Sequence, residues 1–465
     1  MCFLWVWRCR VSSCLNRGLS AVAVAVSLLG CVGLAHANAD LVEASLSAHA
    51  KYVPGELLVQ FHGTAALAAR QSALALVGGR SVERLRAANG SMGELHRIRL
   101  PEGSSVAAAM RLLSANGFVK FAEPNWVYTA QSVATDPYYV NGSQWGMYGA
   151  TSPLFTNAYG SGAAMAWDRG NTCLKKIHVG IMDEGIMLTH NDLLKNVWTN
   201  PDEVVNGIDE DGSGYVDDIN GWDFVNKDNT VFDDVTDEHG TQVAGIIGAR
   251  GGDDKGIAGV CWGVNMIPAK MMTNGTGNAG LAVKAMDYLT NLKYSKNIKL
   301  VAISAAWGGG GFSQAFSDAI GRAGAANILV VAAAGNSSKS NDTAPFYPAS
   351  YALDNVISVA ALTEYGTLAS YSNYGATTVH LAAPGTAIET TNPVIKKGVY
   401  KSGYASLSGT SFASAFVVGA AAMYASSHQS ATAPEIKAAI LNSAVPTSSL
   451  TGKVLTGARL DMSTF

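Results

Sequence analysis

The stretch ILVVAAAGN, residues 328–336, decides the architecture. Its apolar run is too short for a typical helix and rich in β-branched side chains, so it reads as a strand buried on both faces. It closes on Gly335 and Asn336, residues that turn a chain. Four stretches repeat the pattern: IHVGIMDEG (177–185), VNMIPAKMM (264–272), LVAISAAWG (300–308) and NVISVAAL (355–362). Helical segments alternate with them from Gln144 onward. This predicts an α/β domain with a doubly wound, mostly parallel sheet covered by helices on both faces. In such sheets ligands bind off the carboxyl ends of the strands, so the polar endings of these runs are where chemistry is expected.

A smaller unit precedes this domain. Between about residues 52 and 130, ELLVQF, ELHRIRL and VKFAEPNWVY read as strands, and AALAARQSALALV and SVAAAMRLLSANG as helices. The order is βαββαβ-like, an α+β unit, and the polar link TAQSVATDPYYVNGSQ follows it. At the N-terminus, Arg8, Arg10 and Arg17 precede AVAVAVSLLGCVGL and then AHANA. That pattern predicts an export signal, residues 1–37, cut after Ala37 or Ala39. The apolar run is too short to stay as a membrane span. A secreted or periplasmic protein is therefore expected, with lipid attachment at Cys31 as the minor alternative.

Composition narrows the partners. The chain of 465 residues has a formal net charge of -3 and 14% charged residues. With no basic stripe, nucleic acid is not expected as a partner. Once the signal is removed, Cys173 and Cys261 are the remaining cysteines, and two cysteines in an oxidising compartment invite one disulfide.

Three motifs carry the chemistry, in the order VGIMDEG with Asp183, HGTQVAG with His239 and SGTSFASAFVVG with Ser411. A serine hydroxyl attacks poorly until an imidazole takes its proton, and the imidazole needs a carboxylate to fix its tautomer and stabilise its charge. At the end of VVAAAGN, the Asn336 amide offers an N–H to an oxyanion.

These motifs, in this order, are similar to those of the subtilisin-like serine proteases (peptidase S8, thermitase and subtilisin type). The resemblance implies a sheet of the subtilisin type, an inhibitory propeptide over residues 38–135 and a catalytic domain over 136–465. It implies a monomeric endopeptidase acting on protein or peptide substrates, with its own propeptide as intramolecular inhibitor. It assigns Asp183, His239 and Ser411 to the triad and Asn336 to the oxyanion. Ala306, Trp307 and Gly308 form one wall of the substrate cleft, and Ala332, Ala333 and Gly335 the other. It also implies that the segments holding Cys173 and Cys261 run close together. His190, near Asp183 in sequence, matches a structural histidine. The chain departs from the family pattern at Glu184, where Ser or Thr is usual, at Ala306, often Ser, and at Ala415, often Pro.

Calcium is the cofactor expected. GIDEDGSGYVDDINGWDF brings Asp209, Asp211, Ser213, Tyr215, Asp217 and Asp218 into ten residues. Alternate carboxylates, a glycine turn and a carbonyl at Tyr215 follow the logic of a calcium loop, although the usual terminal Glu is absent. The resemblance adds a second calcium site at Asp136, Asp192 and Asp253.

Overall fold

The computed structural model describes residues 40–47, 50, 52–89, 92–127, 134–174 and 176–465. The expected export signal, Cys31, Tyr128 and residues 129–133 of the link lie outside them. The chain divides into two compact units, Met1–Thr129 and Ala130–Phe465.

The small unit runs β1 (Tyr52–His62), α1 (Leu67–Ala75), β2 (Arg80–Arg86), β3 (Met92–Arg99), α2 (Val106–Ser114) and β4 (Val119–Trp126). The strands form an antiparallel sheet in the order β2-β3-β1-β4. In β1 alternate residues Leu57, Val59 and Phe61 are buried and pack with Val106, Met110 and Leu113 of α2. The apolar side chains thus share one face, while Glu56 and Gln60 on the other are buried among polar partners. Ser105 starts α2 by accepting the Ala108 N–H at 3.3 Å. The edge strand β2, RSVERLR, is exposed throughout, and its charges discourage a further strand from pairing there.

The large unit contains β5 (Ile177–Asp183), α3 (Glu238–Gly248), β6 (Asn265–Lys270), α4 (Ala279–Ser295), β7 (Lys299–Ala305), α5 (Gln314–Ala325), β8 (Leu329–Ala333), β9 (Val356–Leu362) and β10 (Leu381–Pro384). A hairpin, β11 (Ile388–Lys396) and β12 (Val399–Leu407), leads into α6 (Thr410–Ser427) and α7 (Ala433–Ser443). The strands β10-β9-β8-β7-β5-β6 form the parallel centre of a nine-stranded sheet with two-residue strands at its edges.

The apolar runs are continuous because both faces are covered. Ile177, Val179 and Ile181 of β5 join the cluster that includes α3 and α6, while Met182 joins the one formed with α4 and α5. In β8, Leu329 and Val331 go to the first cluster and Val330 to the second. Helix α6 is apolar all round and almost wholly buried, as such a helix must be. A Cβ on its Gly419 would lie 2.6 Å from the Val260 Cβ, so only glycine fits there.

Strand order then places the site. From β5 the chain moves outward to β6 on one side and to β7 and β8 on the other. The reversal opens a crevice at the carboxyl ends of β5 and β7. Near the opposite strand ends a disulfide joins Cys173, before β5, to Cys261, before β6, with Cα atoms 5.2 Å apart. Among the described residues no helix is long and apolar enough to cross a membrane.

Candidate active site

Asp183 closes β5 and is fully buried. Its Oδ1 accepts the Glu184 backbone N–H and the His239 Nδ1–H, each at 2.8 Å, while Oδ2 has no partner. With Nδ1 donating to a carboxylate, His239 keeps Nε2 free to take a proton. Burial pushes the imidazole's pKa down, but the charge and hydrogen bond of Asp183, helped by Glu184 and Glu238, outweigh it and hold the pKa above its usual value.

The first turn of α3 is anchored from below. Lys270, the fully buried last residue of β6, donates to Asp237 Oδ2 at 2.8 Å and to the Met272 carbonyl at 3.0 Å, with Asp233 at 3.6 Å. A buried ammonium needs such partners. Lys270, inside the run 264–272, therefore ties β6 to Asp237, two residues before His239.

Ser411 sits in the first turn of α6. Its Oγ donates to the Ala306 carbonyl at 2.6 Å, so in this structure the hydroxyl rests on the cleft wall and not on the imidazole. Asn336, just after β8, accepts from the backbone N–H and the hydroxyl of Thr410, both at 2.9 Å, through its side-chain oxygen. Its amino group is thereby turned away from Thr410. Thr410 was missed in the sequence; the signal is the threonine placed directly before Ser411 in GTS.

Glu184, His239, Asn336 and Ser411 all line one cleft of about 280 Å³. Its walls include Ala306, Trp307 and Gly308 after β7, and Ala333 at the end of β8 with Gly335 after it. Ala332, expected on the second wall, does not line it. That residue is fully buried within the sheet, in register with Ala305 on one side and Ser358 on the other. Gly335 has φ +109°, and a Cβ there would meet the Asn373 amide at 2.5 Å, so the turn needs glycine. Trp307 stacks on Phe316 at 5.7 Å and donates its indole N–H to the Met182 carbonyl at 2.7 Å. His190 lies elsewhere, buried and bonded to the Gly403 carbonyl at 3.0 Å.

The acidic loop differs from expectation. Asp209 and Asp211 draw in the Ser213 N–H at 3.0 and 2.8 Å, and Asp217 accepts the Asn206 N–H at 2.9 Å. The Ser213 hydroxyl accepts the Tyr215 N–H at 3.2 Å, and the Tyr215 ring packs on Trp222, Phe224 and Tyr288. Asp218, expected among the ligands, faces the core instead, held by Asn200 and the Tyr288 hydroxyl at 2.7 Å each. The groups whose ligand atoms come within 4.8 Å of one another are Glu203 with Asp209 and Asp211, and Glu203 with Glu210 and Asp217. Glu203, missed in the sequence, is buried and one of its oxygens has no partner.

At the second cluster, Asp136 and Asp192 are fully buried and accept the Gly252 and Ile257 N–H groups at 2.8 and 2.9 Å. One oxygen each of Asp136, Asp192 and Asp253 is buried without a partner. Burial, with the other carboxylates adding to it, pushes the Asp192 pKa up to about 6. The three unanswered oxygens of this second cluster fit a hard cation; in the acidic loop the open donor is the Glu203 oxygen, while Asp211 is already paired with Lys296 at 2.5 Å.

Residues 174–460 match the Subtilase family, and residues 38–125 the Fervidolysin N-terminal prodomain. The chain is 31% identical to the Thermophilic serine proteinase of Bacillus sp. (strain AK1), over 81% of this chain and 79% of that protein. It is 33% identical to Thermitase of Thermoactinomyces vulgaris, over 61% of this chain and 85% of that protein. A solved protease from Pseudoalteromonas arctica PAMC 21717 superposes with a TM-score of 0.56 at 24% identity, covering 71% of this chain and 98% of the other, a likeness of fold.

Proposed function

This chain belongs to the subtilase family, as a subtilisin-like serine protease with an N-terminal prodomain, and from that premise we propose that Asp183, His239, Ser411 and Asn336 carry its chemistry. The observation that carries the assignment is the 2.8 Å bond from His239 to Asp183 beside a cleft that Ser411 and Asn336 also line.

The steps follow from the geometry. Ser411 Oγ leaves the Ala306 carbonyl and gives its proton to His239 Nε2 as it attacks the scissile carbonyl. The resulting oxyanion accepts from the Asn336 amino group, whose orientation Thr410 sets. The imidazolium, stabilised by Asp183, passes its proton to the leaving amine, and water then frees the acyl group by the reverse sequence. The substrate backbone lies as an added strand between Ala306–Gly308 and Ala333–Gly335.

We further propose a secreted or periplasmic preproenzyme, with signal 1–37, propeptide 38–135 and catalytic domain 136–465, that releases its own inhibitory propeptide. Calcium, held by Glu203, Asp209 and Asp211 and by Asp136, Asp192 and Asp253, would supply positive charge to buried carboxylates and take no part in bond cleavage. The test is a peptide library incubated with mature enzyme and with Ser411→Ala that has been freed of its propeptide by added parent enzyme, since removed, cleavage being read by mass spectrometry. Cleavage by the parent alone is expected; equal cleavage by both overturns the assignment.

A further inference from the structure

Glu184 is not used in the chemistry above, yet it joins the parts of the site. Its side chain is 3% exposed and still reaches the cleft. One carboxylate oxygen accepts the backbone N–H of His239 at 3.2 Å and the other accepts that of Gly275. Its own backbone N–H donates to Asp183 Oδ1 at 2.8 Å. Gly275 belongs to the small hairpin of residues 272–277 that borders the cleft. A single residue thus connects the triad carboxylate, the first turn of α3 and one edge of the substrate channel. A buried carboxylate is costly unless donors answer it, and here both oxygens are answered by backbone N–H groups. The one on α3 also lies at the positive end of the helix dipole.

We propose that Glu184 is a positioning residue of the catalytic site: it clamps the His239 backbone beside Asp183, holds the Gly275 edge in place, and its negative charge favours the imidazolium formed during acylation. This deepens the triad assignment and rests on it. The charges facing His239 are Asp183 at the end of β5, Glu184 beside it and Glu238 on α3 itself. Asp237 and Asp233, just before α3, face Lys270. Removing the Glu184 charge therefore takes away support for the protonated imidazole. The free base is the active form, so the acidic limb of kcat/KM should move to lower pH.

The experiment compares mature parent, Glu184→Gln, Glu184→Asp and Glu184→Thr on a chromogenic peptide between pH 5 and 10, a range of about five units chosen to span histidine titration. Rates are expressed per active site, counted with a fluorophosphonate. Glu184→Gln should shift the acidic limb down by roughly half a pH unit and lower kcat about 10-fold with KM little changed. Glu184→Asp keeps the charge, so its limb should stay in place while kcat falls. Glu184→Thr should show the downward shift with a loss on the order of 100-fold. Because the midpoint of the limb does not depend on the amount of folded enzyme, a poorly folding variant still reports. Gln and Thr variants with the parent's limb and kcat, beside an inactive Ser411→Ala, would overturn this inference alone. An active Ser411→Ala would overturn the triad assignment instead.

Discussion

The two units of this chain treat charge in opposite ways. In β2 of the small unit every residue is exposed; in β5 of the large unit every residue is buried. The small unit answers its acidic groups from within. Glu56 takes Arg99 at 2.7 Å, Arg97 at 3.1 Å and Asn125 at 2.9 Å, while Glu94 takes His96 at 2.8 Å and also Arg70. The large unit leaves buried oxygens of Asp136, Asp192, Asp253 and Glu203 without a partner. Unanswered buried carboxylates of this kind are where the proposed cations would fit. Both units hold ion pairs, that of Lys270 with Asp237 being buried in the large one, but among the described residues the buried carboxylate oxygens without a partner lie in the large unit.

The largest effect expected from disturbing this contrast is at Ser411. If self-cleavage separates the units, Ser411→Ala purified from a protease-deficient host should retain the full mass of the joined precursor. Peptidase activity should fall by about a million-fold, a magnitude taken from subtilisin itself and so not independent of the family. Trimming at the parent's rate would mean that another protease matures the chain. Next comes Asn336→Ala, which keeps the triad and removes one oxyanion donor. It should slow kcat about 100- to 1,000-fold with little change in KM, again a subtilisin magnitude. An unchanged kcat would remove Asn336 from the mechanism.

Metal removal probes the contrast itself. In the uncleaved Ser411→Ala protein, chelator should lower the melting midpoint of the large unit by about 5–10 °C relative to millimolar calcium, since a ligand at 100 times its Kd adds about 2.7 kcal/mol. Hydrogen exchange should quicken around residues 203–218, 136, 192 and 253 and stay the same in β1 to β4. Equal midpoints would reject both cation sites.

The smallest effect concerns the small unit. Arg99 first, with Asn125 and Arg97, holds the Glu56 carboxyl below its ordinary value of 4.5, and His96 first, with Arg70, does so for Glu94. A depressed folded pKa adds stability above the unfolded value and loses it as pH falls through the folded one. Protection of β1 and β3 should therefore weaken below about pH 4.5. Glu56→Gln should loosen them at pH 7 by about 1 kcal/mol. Exchange in β1 that ignores both changes would contradict the ion-pair account.

What the sequence made legible was local. Continuous runs such as 328–336 showed double-sided burial because neither face of the strand meets water, and the order Asp183, His239, Ser411 showed in short motifs. What it hid depends on contacts between distant segments. Glu203 joins the acidic loop from upstream, and Tyr288 of α4 draws Asp218 inward. Lys270 and Thr410 show their roles only once β6 meets Asp237 and α6 meets Asn336. The resemblance put Ala332 on the wall, but the residue stops short, inside the sheet.

The most direct test of the account is to label mature enzyme with a fluorophosphonate at pH 8 and locate the adduct by peptide mass spectrometry. One adduct per molecule on Ser411, with peptidase activity lost in proportion and no labelling in His239→Ala, is the predicted result. An adduct on another residue, or full labelling of Ser411 with activity retained, would contradict it.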